Sequence, residues 1–169
     1  MCIWLTGRPC SGKTTIALAL YHHLTDAGRT VTLLDADVVR PLLCPDLGFS
    51  EQDRLNNLRR IAFVAHEIVR HRGLVITATV SPFAAHRQII RASFKPGEFI
   101  QIYVNASPEE CERRDVKGMY ARAKRGEIGN FTGISSPYEE PLDSEVECDT
   151  QRLQVSQCVE NILLACPLS

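Results

Sequence analysis

The sequence has no long apolar run: none of its hydrophobic stretches approaches the roughly 20 residues that a membrane-spanning helix needs. Its first residues read as a short core strand without a basic leader or cleavage site, so a cytoplasmic protein with no membrane partner is expected. An excess of one charge is missing too. Nineteen Lys and Arg stand against 20 Asp and Glu, and the formal net charge of −1 supplies no global attraction to nucleic acid or an anionic membrane. Any phosphate binding must therefore be local. The seven cysteines, Cys2, Cys10, Cys44, Cys111, Cys148, Cys158 and Cys166, form no Cys-x-x-Cys pair and no Cys/His cluster at zinc spacing, so most read as reduced core thiols. Internal repeats and low-complexity segments are absent. What remains is the composition of an ordinary globular protein, 44% hydrophobic and 23% charged, and 169 residues is the size of one domain, taken as 1–169.

The most informative stretch is Gly7-Arg8-Pro9-Cys10-Ser11-Gly12-Lys13-Thr14, preceded by the apolar run Cys2 to Thr6 and followed by the helix-forming run Thr15 to Leu24. A strand, a glycine-bounded loop and a helix in that order can turn backbone N–H groups inward around a phosphate chain, with the helix N-terminus adding partial positive charge. In such a loop Lys13 reaches the outer phosphates and Thr14 offers its hydroxyl to Mg²⁺. The competing reading, a glycine-rich turn capping an ordinary helix, loses weight because both flanking elements are correctly placed. Cys10 beside Lys13 and a helix N-terminus is either a reactive thiol or a small residue that fits the loop, and the second is preferred.

Strand and helix then alternate to the end, which predicts an α/β fold with a parallel sheet covered on both faces. Thr30 to Leu34 reads as a buried strand ending in Asp35-Ala36-Asp37, and carboxylates at that end of a parallel strand lie on the ligand-binding edge. Asp35 could order Mg²⁺ through water and Asp37 could take a proton from an attacking hydroxyl, unless one of them only caps the next helix. Ser50 with Asp53 makes a capping-box start, and Leu58, Ile61, Ala62, Ala65, Ile68 and Val69 follow at helical spacing. Arg54, Asn57 and Arg60 share a face of that helix and are candidates to grip an anion. Leu74 to Val80 is the next strand; Pro82 is expected in the first turn of the helix after it, and Phe83 lies either flat on a base or in the core. A fourth strand, Phe99 to Val104, leads to a Ser107-Pro108 helix start. The basic helix Lys117 to Gly126 and the long loop behind it predict a lid over 117–140 that excludes water, a merely solvated charged helix being the alternative. A short strand near Val146 to Cys148 and an amphipathic helix from Arg152 to Ala165 complete the chain.

Taken together, these residues resemble the adenylylsulfate kinases over nearly the whole chain. The resemblance rests on Leu34-Asp35-x-Asp37 with Arg40, Asp46-Leu47-Gly48-Phe49-Ser50, Asp53-Arg54 with Asn57-x-Arg59-Arg60, and Ser81-Pro82-Phe83. It continues through Arg114-Asp115-x-Lys117-Gly118-x-Tyr120, Gly126-Glu127-Ile128 and Phe131-Thr132-Gly133-Ile134-x-Ser136-Pro137-Tyr138-Glu139. It implies a three-layer phosphate-loop kinase fold with a five-stranded parallel sheet. The implied activity is ATP-dependent phosphorylation of the 3′-hydroxyl of adenosine 5′-phosphosulfate, with ATP and Mg²⁺ as cofactors.

By position, the resemblance implies that Gly7 to Thr15 and Arg114 hold ATP, with Arg114 against its base, and that Thr14 and Asp35 hold the metal. Arg40, Arg54 and Asn57 are implied around the phosphosulfate, Phe49 and Phe83 around its adenine, and Lys117, Phe131 and Ile134 over this second nucleotide, with Asp37 at its 3′-hydroxyl and Ser81 also among its binding residues. Ser81 matches a serine named in the family as a phosphoryl carrier and belongs with Lys13 and Asp37 as a candidate catalytic group. Direct in-line transfer needs only positioning, Mg²⁺ and charge, so no covalent serine step is expected. A homodimer and association with a sulfate adenylyltransferase are the macromolecular partners left open. The chain departs from the family at Arg8-Pro9-Cys10, at Ala36 and Val38, and at Ala84. A weakly catalytic nucleotide-binding regulatory module, or a kinase for another small hydroxyl acceptor, therefore remains as an alternative.

Overall fold

In the computed structural model, which describes residues 1–166, five parallel strands form one sheet in the order β2-β3-β1-β4-β5. They are β1 (Cys2–Thr6), β2 (Val31–Asp35), β3 (Leu74–Ala78), β4 (Phe99–Asn105) and β5 (Val146–Asp149). Successive side chains of β1 alternate between two cores, as strand geometry demands. Ile3 and Leu5 pack with Ile16, Leu20 and Leu24 of α1 (Lys13–Asp26) and with Val159 and Ile162 of α7 (Val155–Ala165). Cys2 and Trp4 face the other layer, against Leu58, Ile61 and Ala65 of α3 (Glu51–Arg70) and Ile90 of α4 (Ala84–Arg91). Full burial of each such large side chain contributes about 1.5–3 kcal/mol, so these two layers hold the sheet between the helices. Among the described residues, no helix is long and apolar enough to cross a membrane.

The sheet order decides where ligands can go. The chain leaves β1 toward β2 on one side and leaves β3 toward β4 on the other, so the loops after β1 and β3 diverge over a crevice. Thr79 N donates to Leu5 O at 3.0 Å and keeps the two strand ends together below that crevice.

Three local features differ from the sequence reading. A helix, α2 (Ala36–Leu43), follows β2 directly although Pro41 lies inside it, and Asp35 caps it by accepting from Asp37 N at 2.9 Å. The helix expected at Pro82 begins instead at Ala84, after Ser81 at φ 44° has turned the chain and Pro82 O has accepted from Glu139 N at 2.8 Å. The last helix starts at Val155 rather than Arg152, because Arg152 N and Leu153 N close a turn on Asp149 O. Helices α5 (Pro108–Arg114) and α6 (Met119–Lys124) come close to expectation. They enclose a small third cluster of Ala106, Cys111, Tyr120, Ala123 and Phe131, against which Cys10 packs.

Candidate active site

The loop from Gly7 to Thr14 joins β1 to α1 at the crevice. A Cβ on Gly7 would lie 2.4 Å from Val104 O, so only glycine lets the loop pass so close to β4. Gly12 caps α1 with φ 104°, in the left-handed region, and no side chain occupies the first N–H groups of that helix. Those donors are therefore open to an anion, as helix N-termini are at phosphate sites. Lys13 Nζ folds back on its own loop and donates to the carbonyls of Gly7 at 3.0 Å and Arg8 at 2.7 Å. Desolvation there pulls the ammonium down to about 8, against the raising influence of Asp37 and other acidic groups nearby.

Arg114 lies behind the loop. Its guanidinium donates to Ser11 O at 3.2 Å, Thr150 Oγ1 at 2.9 Å and Thr150 O at 3.0 Å, and Nε pairs with Glu110 at 2.7 Å. Thr150 Oγ1 also donates to Ser11 O at 2.9 Å. Thr150 thus braces the loop, a role that a lone threonine beyond a four-residue strand did not advertise. Thr15 is exposed on the first turn of α1.

Across the crevice, Thr14 Oγ1 donates to Asp35 Oδ2 at 2.6 Å while the other Asp35 oxygen caps α2. The capping and ligand-side readings of Asp35 are both satisfied, one oxygen each. A hydroxyl and a carboxylate at the mouth of a phosphate loop are hard oxygen donors of the kind Mg²⁺ takes along with nucleotide oxygens, so the residues fit that ion. Among the described residues, no group of three or more His, Cys, Asp and Glu could hold a metal by itself. Asp37, in the first turn of α2, pairs with Lys117 Nζ at 2.6 Å, both side chains being more than half exposed. Lys117 is raised above the usual lysine range chiefly by this contact.

Arg40, Phe49, Arg54 and the 130–132 segment form one assembly. The Arg40 guanidinium lies 4.0 Å from the Phe49 ring centroid and donates to Gly48 O. Arg54 donates to Phe49 O at 3.1 Å, to Thr132 Oγ1 at 2.8 Å and to Asn130 O. Desolvation lowers both guanidinium groups from their ordinary range. Asn57 is buried, and its Oδ1 has no hydrogen-bond partner among the described residues. Arg60, a candidate for the gripping face with Arg54 and Asn57, makes a two-pronged ion pair with Asp46 at 2.6 and 2.7 Å and donates to Leu43 O. That pair fixes the turn after α2.

Phe83 is half-buried at the start of α4, edge-on to His86 with ring centroids 4.9 Å apart. Ser81 is 2% exposed; its Oγ accepts from Trp4 Nε1 at 3.1 Å and shares a further bond with Thr79 Oγ1. Phe131 is also turned inward, edge-on to Tyr120 at 4.9 Å, whereas Ile134 is exposed. The described cysteines are all free, and all but the half-buried Cys10 are buried. Two surface clefts of about 410 and 370 Å³, beside Phe94 and Phe99 and between Phe63 and Ile89, contain none of these site residues.

A phosphate loop on β1, a Thr14–Asp35 oxygen pair and an arginine-rich wall on one edge of a β2-β3-β1-β4-β5 sheet define a phosphate-loop kinase. The profile of the adenylylsulphate kinase family matches residues 1–149, and the chain belongs to that family. It is 46% identical over 161 residues to the adenylyl-sulfate kinase of Picosynechococcus sp., covering 95% of this chain and 90% of that protein. It superposes with a TM-score of 0.91 on the Mycobacterium tuberculosis APS kinase bound to AMPPNP and APS, at 34% identity over 97% of this chain and 95% of that one. A hexameric APS kinase from Thiobacillus denitrificans matches at 33% identity and a TM-score of 0.69, over 97% of this chain and 28% of that longer chain.

Proposed function

We propose that the protein transfers the γ-phosphoryl group of ATP to the 3′-hydroxyl of adenosine 5′-phosphosulfate, directly and in line, yielding ADP and 3′-phosphoadenosine 5′-phosphosulfate. The observation that carries this reading is that Asp37, two residues beyond the Asp35 that pairs with Thr14, is held by Lys117 from the acceptor-side segment. Lys13 exchanges its loop carbonyls for phosphate oxygens and offsets charge on the transferring group. Asp37 accepts the 3′-hydroxyl proton as the new O–P bond forms, and the bond from phosphorus to the β,γ-bridging oxygen breaks with its electron pair leaving on ADP. Thr14 and, through water, Asp35 would hold Mg²⁺, which would neutralise phosphate charge.

Arg40 and Arg54 attract the phosphosulfate, and Asn57 Oδ1, without a partner among the described residues, accepts a hydrogen bond from the acceptor. Phe49 and the half-buried Phe83 supply aromatic faces for its adenine. Ile134 covers this nucleotide within a lid spanning 117–140, and Phe131 supports that lid through Tyr120. Arg114 lies against the ATP base, its guanidinium braced on Ser11 and Thr150. The two occupied contacts of the Ser81 hydroxyl support transfer without a phosphoserine. The reading places the enzyme in the cytoplasm. Self-association and association with a sulfate adenylyltransferase belong to the same proposal, the first supported by the hexameric relative.

The test is steady-state release of ADP with ATP and Mg²⁺ against a panel of hydroxyl acceptors. Adenylylsulfate should be preferred, and Lys13→Ala should lower kcat/KM by about 10²-fold or more. A better substrate elsewhere in the panel would reassign the acceptor, and binding of adenylylsulfate without turnover would make the chain a nucleotide-binding module.

A further inference from the structure

Thr150 follows β5 directly, one residue past the segment that the family profile matches. Its backbone N–H is fixed on Asn105 O at 2.9 Å, so the end of β4 sets where its side chain stands. A threonine hydroxyl has one hydrogen to give and lone pairs with which to accept. Here the hydrogen lies between Ser11 O at 2.9 Å and Asn105 O at 3.1 Å, and the oxygen accepts from Arg114 Nη1 at 2.9 Å. The methyl group lies over Gly12, 3.5 Å from where a Cβ on that glycine would stand.

Ser11 needs such a partner. It stands between Cys10 at φ 61° and Gly12 at φ 104°, both in the left-handed region, and the first of these is not a glycine. The bond from Ser11 N to Arg8 O at 3.2 Å, within the loop, holds only the N-terminal side of the residue. The peptide unit between Ser11 and Gly12 is planar and trans, so its C=O and its N–H point opposite ways. Thr150 and Arg114 hold the C=O, and the Gly12 N–H is thereby turned away from them at the N-terminus of α1.

We propose that Thr150 is a positioning residue for ATP: its hydroxyl, by holding the Ser11 carbonyl, aims the Gly12 N–H at the nucleotide's phosphate chain. The inference rests on the phosphoryl-transfer reading above for the identity of that nucleotide. Phosphate oxygens are bound before and during transfer alike, so a misaimed donor weakens ATP binding and leaves the chemical step nearly as fast. The assembly of Arg40, Phe49, Arg54 and residues 130–132 shares none of these bonds, so acceptor affinity is untouched. Thr150→Val is a gentle change because it leaves neither carbonyl without a donor. Ser11 O keeps Arg114 Nη1 at 3.2 Å, and Asn105 O keeps the backbone N–H of residue 150.

The experiment is steady-state kinetics on the intact chain with ATP and adenylylsulfate varied in turn, paired with calorimetric titration of ATP with Mg²⁺ and of inorganic tripolyphosphate. Thr150→Val should raise KM for ATP by about three- to tenfold, the worth of one hydrogen bond, with kcat and KM for adenylylsulfate within about twofold of the parent. Tripolyphosphate has no base for Arg114 to meet and should lose affinity by a similar factor. Thr150→Ser keeps the hydroxyl and should stay within about twofold of the parent. So should Gln151→Ala, which removes a bond to Ser107 N in the same turn and none to the loop. An unchanged KM for ATP in Thr150→Val overturns the proposal, as does an unchanged affinity for tripolyphosphate or an equal rise in KM for ATP in Gln151→Ala. Absence of turnover in the parent chain overturns the transfer reading instead, and the two titrations then still decide whether Thr150 positions the phosphate loop.

Discussion

Ser81 and Asp37 are both candidate catalytic oxygens at the ends of neighbouring strands, yet their surroundings assign them opposite roles. Ser81 Oγ is buried under Trp4 and Thr79, whereas the Asp37 carboxylate is exposed and, among the described residues, its side chain pairs only with Lys117. Ser81→Ala should therefore retain turnover within about tenfold while losing about 1–3 kcal/mol of stability in denaturant titration, because the Trp4 N–H loses its acceptor. Complete loss of turnover in a variant that still binds both nucleotides would restore the phosphoserine. Asp37→Asn should lower kcat by about 10²–10⁴-fold with little change in ATP affinity, as expected for loss of a proton acceptor. Asn57→Leu should raise KM for the acceptor about tenfold with kcat nearly unchanged if the Oδ1, which has no hydrogen-bond partner among the described residues, serves the acceptor as proposed.

Elements with local signatures were legible in the sequence, and those with distant partners were not. The cap at Ser50 is as read, with Asp53 N donating to Ser50 Oγ at 3.1 Å, and so is the Ser107-Pro108 start of α5. The phosphate loop was legible because a glycine, a lysine and a threonine at fixed spacing suffice to name it. By contrast, the start of α4 depends on Glu139, 55 residues away from Ala84, and the brace on Ser11 comes from Thr150, 139 residues away. Periodicity reports which face of an element is buried and says nothing of such partners. It aligns Arg60 with Arg54 and Asn57 as a matter of helix geometry, but it does not report that Arg60 pairs with Asp46, 14 residues away. At this scale Ile61, fully buried in α3 against the Trp4 side of the sheet, is the sharpest test of packing. Ile61→Ala should cost about 2–5 kcal/mol in denaturant unfolding, while the KM values of the folded fraction stay close to the parent's.

For the whole molecule, the arrangement follows from strand order. Because β1 and β3 are neighbours whose connections run to opposite sides, the phosphate loop and the residues after β3 share one crevice, and β2 delivers Asp35 and Asp37 to the same edge. With 19 basic residues balanced by 20 acidic ones, the net charge supplies no global pull on an anion, so any attraction is local, and Lys13, Arg40, Arg54 and Lys117 are the proposed source of it. The most direct measurement of the central claim is phosphorus NMR of the protein incubated with ATP, Mg²⁺ and adenylylsulfate. The account predicts a new phosphomonoester at the 3′-position, appearing in step with ADP and with the 5′-phosphosulfate intact; ADP accompanied only by inorganic phosphate, or no ADP at all, would contradict it.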